Sequence, residues 1–305
     1  MSITTNNAAW LTAAKAHPFE VKEAPVWKPD VREILIRNHA VAVNPVDGSL
    51  QSKAWWPLEY PTMLGQDVAG QVIAVGEQVT RFQPGDRVVG HAVDMATPTV
   101  SYENAAMIPL GFSTAAAGLF QSEFLRLNLP TEPRALSTGK TLLLGVAAGY
   151  DVITTSSPKN FVYARRLGAS EVFDYHDAAV EENLVRALHG KTLAGIMDCI
   201  KFSPTPVCLE IVRRCEGDKA VATVKGGFTM PPEGIRVKNV FGTSIKDNAV
   251  GPALYESFLP AALASGVFRP APEPLVVGTG LETVQAAVDL QVKGGNSAQM
   301  VVVLL

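Results

Sequence analysis

Residues able to do chemistry are few in this chain and widely spaced. His17, His39, His91, His176 and His189 show no metal-ligand spacing, and none stands beside a serine or cysteine in the pattern that covalent catalysis needs. Cys199, Cys208 and Cys215 lack the short paired steps of a structural zinc site and are too few for a disulfide scaffold, so they read as reduced thiols. Hydroxyls, amides and single charges remain. Thr155-Ser156-Ser157-Pro158-Lys159 places two hydroxyls and a cation directly after an apolar strand, a set suited to a phosphate. The plainer alternative is that Ser156 and Ser157 cap a helix while Lys159 faces water. Gly111 to Ala115 puts the hydroxyls of Ser113 and Thr114 near a helix start, where they either contact a ligand or cap the helix.

These residues sit on two textures of chain. Glu33 to Arg37, Ala40 to Val43 and Val68 to Val75 are β-rich, Gly85 to Gly90 reads as a turn leading into another strand, and Pro45, Pro57 and Pro61 mark irregular chain. From about Gly111 strands and helices alternate. Thr141 to Leu144, Tyr150 to Thr155, Glu171 to Asp174, Gly195 to Ile200, Lys219 to Val224 and Val237 to Phe241 are strand candidates, with helices over Ser113 to Leu119 and Asn160 to Leu167. The alternation predicts an α/β protein with a parallel sheet covered by helices. Pro252 to Ser265 and Gly280 to Leu290 read as helices and Ala271 to Pro274 as a rigid turn. Met300 to Leu305 is a terminal β run that returns to the first domain.

One junction conflicts with that architecture. Only Val146 to Gly149 separates Gly145, at the end of one strand, from the next strand, whereas a parallel crossover needs about a dozen residues or more. Either an internal segment is missing around 145/146, or the two strands are not parallel neighbours.

Composition sets the outer limits. At ~150 residues per domain, 305 residues suggest two domains. A hydrophobic fraction of 47% against 18% charged residues excludes a disordered chain or a charged coiled coil. The formal charge of −3, without a basic block, excludes a nucleic-acid grip, and no apolar run reaches the ~20 residues of a membrane span. The start, MSITTNNAAW, lacks the basic region and apolar core of a signal peptide, so a soluble cytoplasmic protein is expected.

The order of Asn44-Pro45-Val46-Asp47, Leu64-Gly65-Gln66-Asp67-Val68-Ala69-Gly70, Pro84-Gly85-Asp86-Arg87-Val88, Gly111-Phe112-Ser113-Thr114-Ala115 and the alternation after Gly139 resembles the zinc-independent medium-chain dehydrogenase/reductase family, particularly its quinone reductase and fungal enoyl reductase branches. The resemblance implies a β-rich GroES-like catalytic domain, residues 1–110 and 251–305, and a Rossmann-type nucleotide-binding domain, residues 111–250, with substrate and nicotinamide meeting between them. It implies NADPH rather than NADH, because Ser156, Ser157 and Lys159 stand where an acidic residue would bind the ribose of NAD. Gly145 is what remains of the nucleotide-binding glycine turn. The rest of that loop and its helix would belong to the missing segment, and a second shortening is implied around 100/101.

Further roles come from the same resemblance. Thr114 would approach the nicotinamide, Asn44 would orient the nicotinamide ribose or the substrate, and Tyr175 would line the cofactor groove unless it is structural. Asp47 reads as a fixing residue that accepts backbone hydrogen bonds. Ser49 replaces a lysine found in some enoyl reductase relatives, and Lys53, four residues on, reads as surface. Trp55 and Trp56 would wall the acceptor or fill a core or interface. Zinc-dependent relatives carry Gly-His-Glu where this chain has Gly65-Gln66-Asp67, so no metal is expected.

The implied activity is NADPH-dependent hydride transfer to an activated alkene (enone or enal) or a quinone, by a monomer or homodimer. The alternatives are a polyketide enoyl reductase acting on a carrier-bound substrate delivered by a partner, and a catalytically weakened binding protein of the same fold.

Overall fold

The computed structural model describes residues 5–91, 94–96, 99–133, 135–143, 149–199, 205–226 and 231–305. The chain divides into two compact units, Met1–Leu110 with Leu259–Leu305, and Gly111–Phe258. Among the described residues no helix is long and apolar enough to cross a membrane.

The first unit is built on a six-stranded sheet in the order Glu273–Thr279, Gln299–Leu304, Ile34–Val43, Asp67–Val75, Arg87–His91, Asp94–Ala96. The first pair is parallel and the rest antiparallel. A small sheet of Glu20–Glu23, Asn7–Leu11 and Thr62–Met63 completes it. The run Met300-Val301-Val302-Val303-Leu304 forms a strand between two others, and Val301, Val302 and Val303 are all fully buried, so both of its faces are covered. Val301 and Val303 pack with Leu11, Phe19, Val43, Ala287 and Val288 to form this unit's core.

Two proline readings are corrected here. Pro45 opens the helix Pro45–Lys53 rather than irregular chain: its missing N–H falls in the first turn, where no intrahelical partner exists. The Ala271 to Pro274 turn gives way to a strand at Glu273, and Pro274 is tolerated because that strand lies at the sheet edge.

The second unit carries a six-stranded, wholly parallel sheet in the order Glu171–Asp174, Asp151–Ser156, Lys140–Leu143, Thr192–Asp198, Ala220–Thr223, Arg236–Asn239. Numbered within the unit, that order is 3-2-1-4-5-6, the arrangement of doubly wound dinucleotide-binding folds. Helices Val180–Leu188 and Thr205–Arg214 bury Leu184, Leu188, Cys208, Ile211 and Val212 against Leu143, Ile153, Leu193, Ile196 and Val221 of the sheet. The sequence reading gave these intervals as helical or looping without bounds, although their apolar residues recur at helical spacing.

The awkward junction resolves in one direction. Lys140–Leu143 and Asp151–Ser156 are parallel neighbours, with Thr141 opposite Asp151 and Leu143 opposite Ile153, which removes the alternative that they do not pair. Gly149, at φ +79, already runs beside the first strand's start, where its carbonyl accepts from Thr138 N at 2.9 Å. Gly145 lies outside the described residues.

Candidate functional site

In the first unit, local chain geometry gathers one buried amide and two buried carboxylates. Asn44 ends the long strand in extended backbone, φ −98 and ψ 159, and is the N-cap of Pro45–Lys53. Asp47, in the first turn, accepts from Asn44 N through Oδ2 at 2.7 Å. Its carboxylate therefore satisfies an amide at a helix start, where negative charge is favoured. Asp67 opens the next strand and accepts from Asn44 Nδ2 at 2.6 Å and from Leu110 N at 2.8 Å. Leu110 lies in the first turn of helix Pro109–Phe120, so one carboxylate ties the Asn44 corner to that helix start.

Burial dominates the electrostatics of this cluster. It pushes the Asp47 carboxyl up to about 6 and, against the two donated hydrogen bonds, pushes Asp67 up to about 7, with the charge of Asp47 adding to the rise. Both carboxylates thus exchange protons near neutral pH rather than near 4.

Gln66 and Asp67, at the positions of the zinc-binding pair in metal-dependent relatives, are otherwise engaged. Gln66 Oε1 and His91 Nε2 are 2.9 Å apart, and both oxygens of Asp67 hold the donors just named. Burial depresses the His91 pKa, which keeps the ring neutral. Among the described residues no group of His, Cys, Asp or Glu is arranged to hold a metal ion. The sequence reading missed the Asn44–Asp67 and Gln66–His91 pairings; the only signal was an acid opening an otherwise apolar strand.

Ser49 is half-buried on helix Pro45–Lys53, and Lys53 is exposed in its last turn. Gly48 lets this helix approach helix Val284–Lys293, since a Cβ there would collide with Val292 Cγ2. Trp55 and Trp56 are each about half exposed and meet edge to face, their rings 5.8 Å apart.

In the second unit the sheet register brings the hydroxyls and cation to one end. Ser156 is the last residue of its strand and pairs with Asp174, the last of the neighbouring strand, so Ser157, Lys159 and Tyr175 leave adjacent strands at the same carboxyl-terminal edge. Ser157 is the N-cap of the short 3-10 turn Pro158–Asn160. Lys159 is exposed and makes no ion pair among the described residues. Tyr175 is exposed, its ring 4.1 Å from that of His176. Asp174, in register with Ser156, stands at this same edge with one oxygen engaged. Its Oδ1 accepts from the backbone N–H of His176 at 3.0 Å and lies 2.9 Å from its Nδ1, which holds the carboxyl below its ordinary range.

Ser113 and Thr114 part company. Ser113 is fully buried and its Oγ lies 2.8 Å from the Tyr255 hydroxyl, while Phe112 meets the Tyr255 ring edge to face at 5.4 Å. Thr114 is half-buried and is approached closely by Gly242, where a Cβ would stand 2.8 Å from Thr114 Oγ1 and 3.1 Å from its backbone N. Asp198, fully buried at the end of the fourth strand, accepts from Thr205 Oγ1 at 2.7 Å. That strand neighbours Lys140–Leu143, so Asp198 stands at the switch in strand order where doubly wound sheets form their ligand crevice.

Comparison with known proteins places this geometry among oxidoreductases. The family described as the alcohol dehydrogenase GroES-like domain matches residues 30–126. The chain is 58% identical to the zinc-binding alcohol dehydrogenase domain-containing protein cipB of Emericella nidulans, over 100% of both chains. That alignment runs over 329 positions although this chain has 305 residues, so the relative carries residues that this chain lacks. It is 32% identical to the trans-enoyl reductase himH of Aspergillus japonicus, over 99% of this chain and 98% of the relative. Among solved structures, the Escherichia coli quinone oxidoreductase complexed with NADPH superposes with a TM-score of 0.73 at 19% identity, covering 99% of this chain and 100% of the other.

Proposed function

Because the chain belongs to the zinc-independent medium-chain dehydrogenase/reductase family, with fungal trans-enoyl reductases among its relatives and the fold of quinone oxidoreductases, we propose that it uses NADPH to reduce an enone, an enal or a quinone. The observation that carries the reading is the carboxyl edge of the parallel sheet, where Ser156, Ser157 and Lys159 follow the second strand and the neighbouring Asp174 carboxylate is engaged by His176. Hydroxyls and a cation fit a 2′-phosphate, whereas a free carboxylate there would repel it and favour the unphosphorylated ribose.

Bound NADPH supplies a hydride to the electrophilic carbon of the acceptor. The chain's own residues bind and orient. Lys159 neutralises phosphate charge, Ser156 and Ser157 add hydroxyl donors, and Tyr175 offers a ring face to the adenosine. Asn44, its Nδ2 committed to Asp67, serves as a polar contact for the nicotinamide ribose or the acceptor. Thr114, and Ser49 more weakly, are assigned hydroxyl contacts to the nicotinamide and the acceptor. A hydroxyl donor that meets charge growing on the acceptor oxygen lowers the barrier without becoming charged itself.

The test is consumption of NADPH, followed by absorbance, with an enone, an enal, a quinone and an enoyl thioester on a carrier protein. Turnover of free enones or quinones with NADPH, and little with NADH, is expected. Turnover of the carrier-bound thioester alone would move the assignment to a partner-dependent polyketide enoyl reductase, a reading favoured by similarity to himH. Turnover of no acceptor, with neither nucleotide bound, would leave the reading of a catalytically weakened binding protein of the same fold.

A further inference from the structure

The parallel sheet has two ends, and the groups proposed to meet the nucleotide leave it at the carboxyl end. At the amino end, Lys140 and Thr192 open the first and fourth strands as register partners, and Gly217 bridges to Leu193 just before the fifth strand. A cleft of about 390 Å³ lies here, wholly within the second unit and in the size range of small-molecule sites. Leu125, Leu127 and Leu193 give it an apolar wall, and Arg126, Lys140, Tyr150 and Asp218 supply its ionisable groups. The seven residues of strand Thr192–Asp198, at about 3.3 Å each, put the cleft about 20 Å from Asp198 and the carboxyl edge. It is therefore separate from the nucleotide site.

Donors outnumber acceptors in this cleft. Tyr150 is only 8% exposed; its hydroxyl accepts from Asn128 N at 3.2 Å and donates to nothing among the described residues. A buried O–H without an acceptor is costly, so a ligand or water must supply one. The Lys140 ammonium is exposed and has no ion pair or hydrogen bond among the described residues. Arg126 stands at φ +54, between Leu125 and Leu127, whose N–H groups donate to the Gly118 and Leu119 carbonyls at the end of helix Pro109–Phe120. Its guanidinium lies 3.6 Å from Asp218, a carboxylate that Arg236 also reaches at 3.3 Å. Three cations thus share one carboxylate. The surplus of two positive charges at a concave surface attracts a dianion.

We propose that this cleft binds a phosphate monoester. The phosphate lies between Lys140 and Arg126, one of its oxygens accepts from the Tyr150 hydroxyl, and the organic body rests along Leu125, Leu127 and Leu193. A phosphate has the charge and the acceptor oxygens that the three donors require, whereas a single carboxylate would leave one positive charge unmatched. The site goes beyond the NADPH reading and does not depend on it.

Titration of the full chain with inorganic phosphate and with phenyl phosphate, followed by phosphorus NMR line broadening, tests this without reference to turnover. Saturable binding below about 10 mM is expected, with phenyl phosphate the tighter of the two. Equal affinity would overturn the monoester in favour of free phosphate, and no saturation would overturn the site. Binding is expected to weaken about tenfold or more in Lys140→Gln and in Tyr150→Phe, each losing one hydrogen bond to a charged group. Tyr150→Phe also deprives Asn128 N of its acceptor, whereas Lys140→Gln changes an exposed side chain, and a melt coincident with wild type verifies its fold. Weakening in Lys159→Gln but not in Lys140→Gln would mean that phosphate occupies only the nucleotide edge. That result would overturn the second site while supporting the NADPH reading.

Discussion

Asn44 and Asp67 are separated by 23 residues of chain, yet the amide of one donates to the carboxylate of the other at 2.6 Å in a fully buried setting. The second oxygen of Asp67 accepts from Leu110 N, so a single side chain satisfies two buried donors. Asp67→Ala removes both acceptors at once. At pH 5, where the buried carboxyl is protonated and no relief of buried charge offsets the loss, the variant is expected to unfold with about 2–4 kcal/mol less stability. Urea unfolding followed by tryptophan fluorescence measures it; a change below about 0.5 kcal/mol would contradict the pairing.

The raised carboxyl pKa values fix the sign of a pH effect. In the folded chain Asp47 holds its proton up to about 6 and Asp67 up to about 7, against the ordinary value near 4 when unfolded. The folded state therefore binds more protons between about pH 4 and pH 7, and the stability these groups contribute is full below pH 4 and lost as pH rises through 7. Relative to Asp67→Asn, the wild-type urea midpoint is expected to fall across that window and then level off. A difference that rises with pH would reverse the assignment.

Gly242 approaches the helix that carries Thr114 more closely than any side chain allows. Gly242→Ala sets a methyl 2.8 Å from Thr114 Oγ1 and 3.1 Å from its backbone N, and is expected to cost about 1–3 kcal/mol. Gly111, on the same helix, has nothing within 4 Å of the corresponding position. Gly111→Ala is therefore expected to be neutral or to stabilise by up to about 1 kcal/mol. Thermal melts of the two variants side by side decide the matter.

Thr114 itself is assigned a polar contact in the proposed reaction. Thr114→Val keeps the shape and removes the hydroxyl, so steady-state kinetics with an enone should show kcat reduced about tenfold or more with the acceptor KM little changed. A rise in KM alone would make the hydroxyl a binding group, and full activity would return it to helix capping.

The parallel sheet was legible because short apolar runs alternate with longer intervals after Gly139, and the position of Ser156 to Lys159 because they stand at the end of such a run. Pro45 was not, since a proline in a loop and one in a first helical turn look alike until the extended Asn44 before it is seen. The two-sided reading of the junction after Gly145 needed register: only the pairing of Thr141 with Asp151 shows that the strands are neighbours. The Asn44–Asp67 and Gln66–His91 contacts depend on antiparallel strand neighbours, and Asp67 and His91 are themselves register partners. No local pattern of residues announces a contact of that kind.

The strand Gln299–Leu304 lies between Ile34–Val43 and Glu273–Thr279 in the first unit's sheet. During translation the parallel sheet of the second unit is already complete when this strand is still unmade. The unit that begins first is thus the one that finishes last, and any sheet it forms before then leaves the Ile34–Val43 edge open for the length of the intervening domain. Slow synthesis over residues 111–258 would prolong that exposure, and a chaperone that shields unpaired strands would act on this segment of the nascent chain.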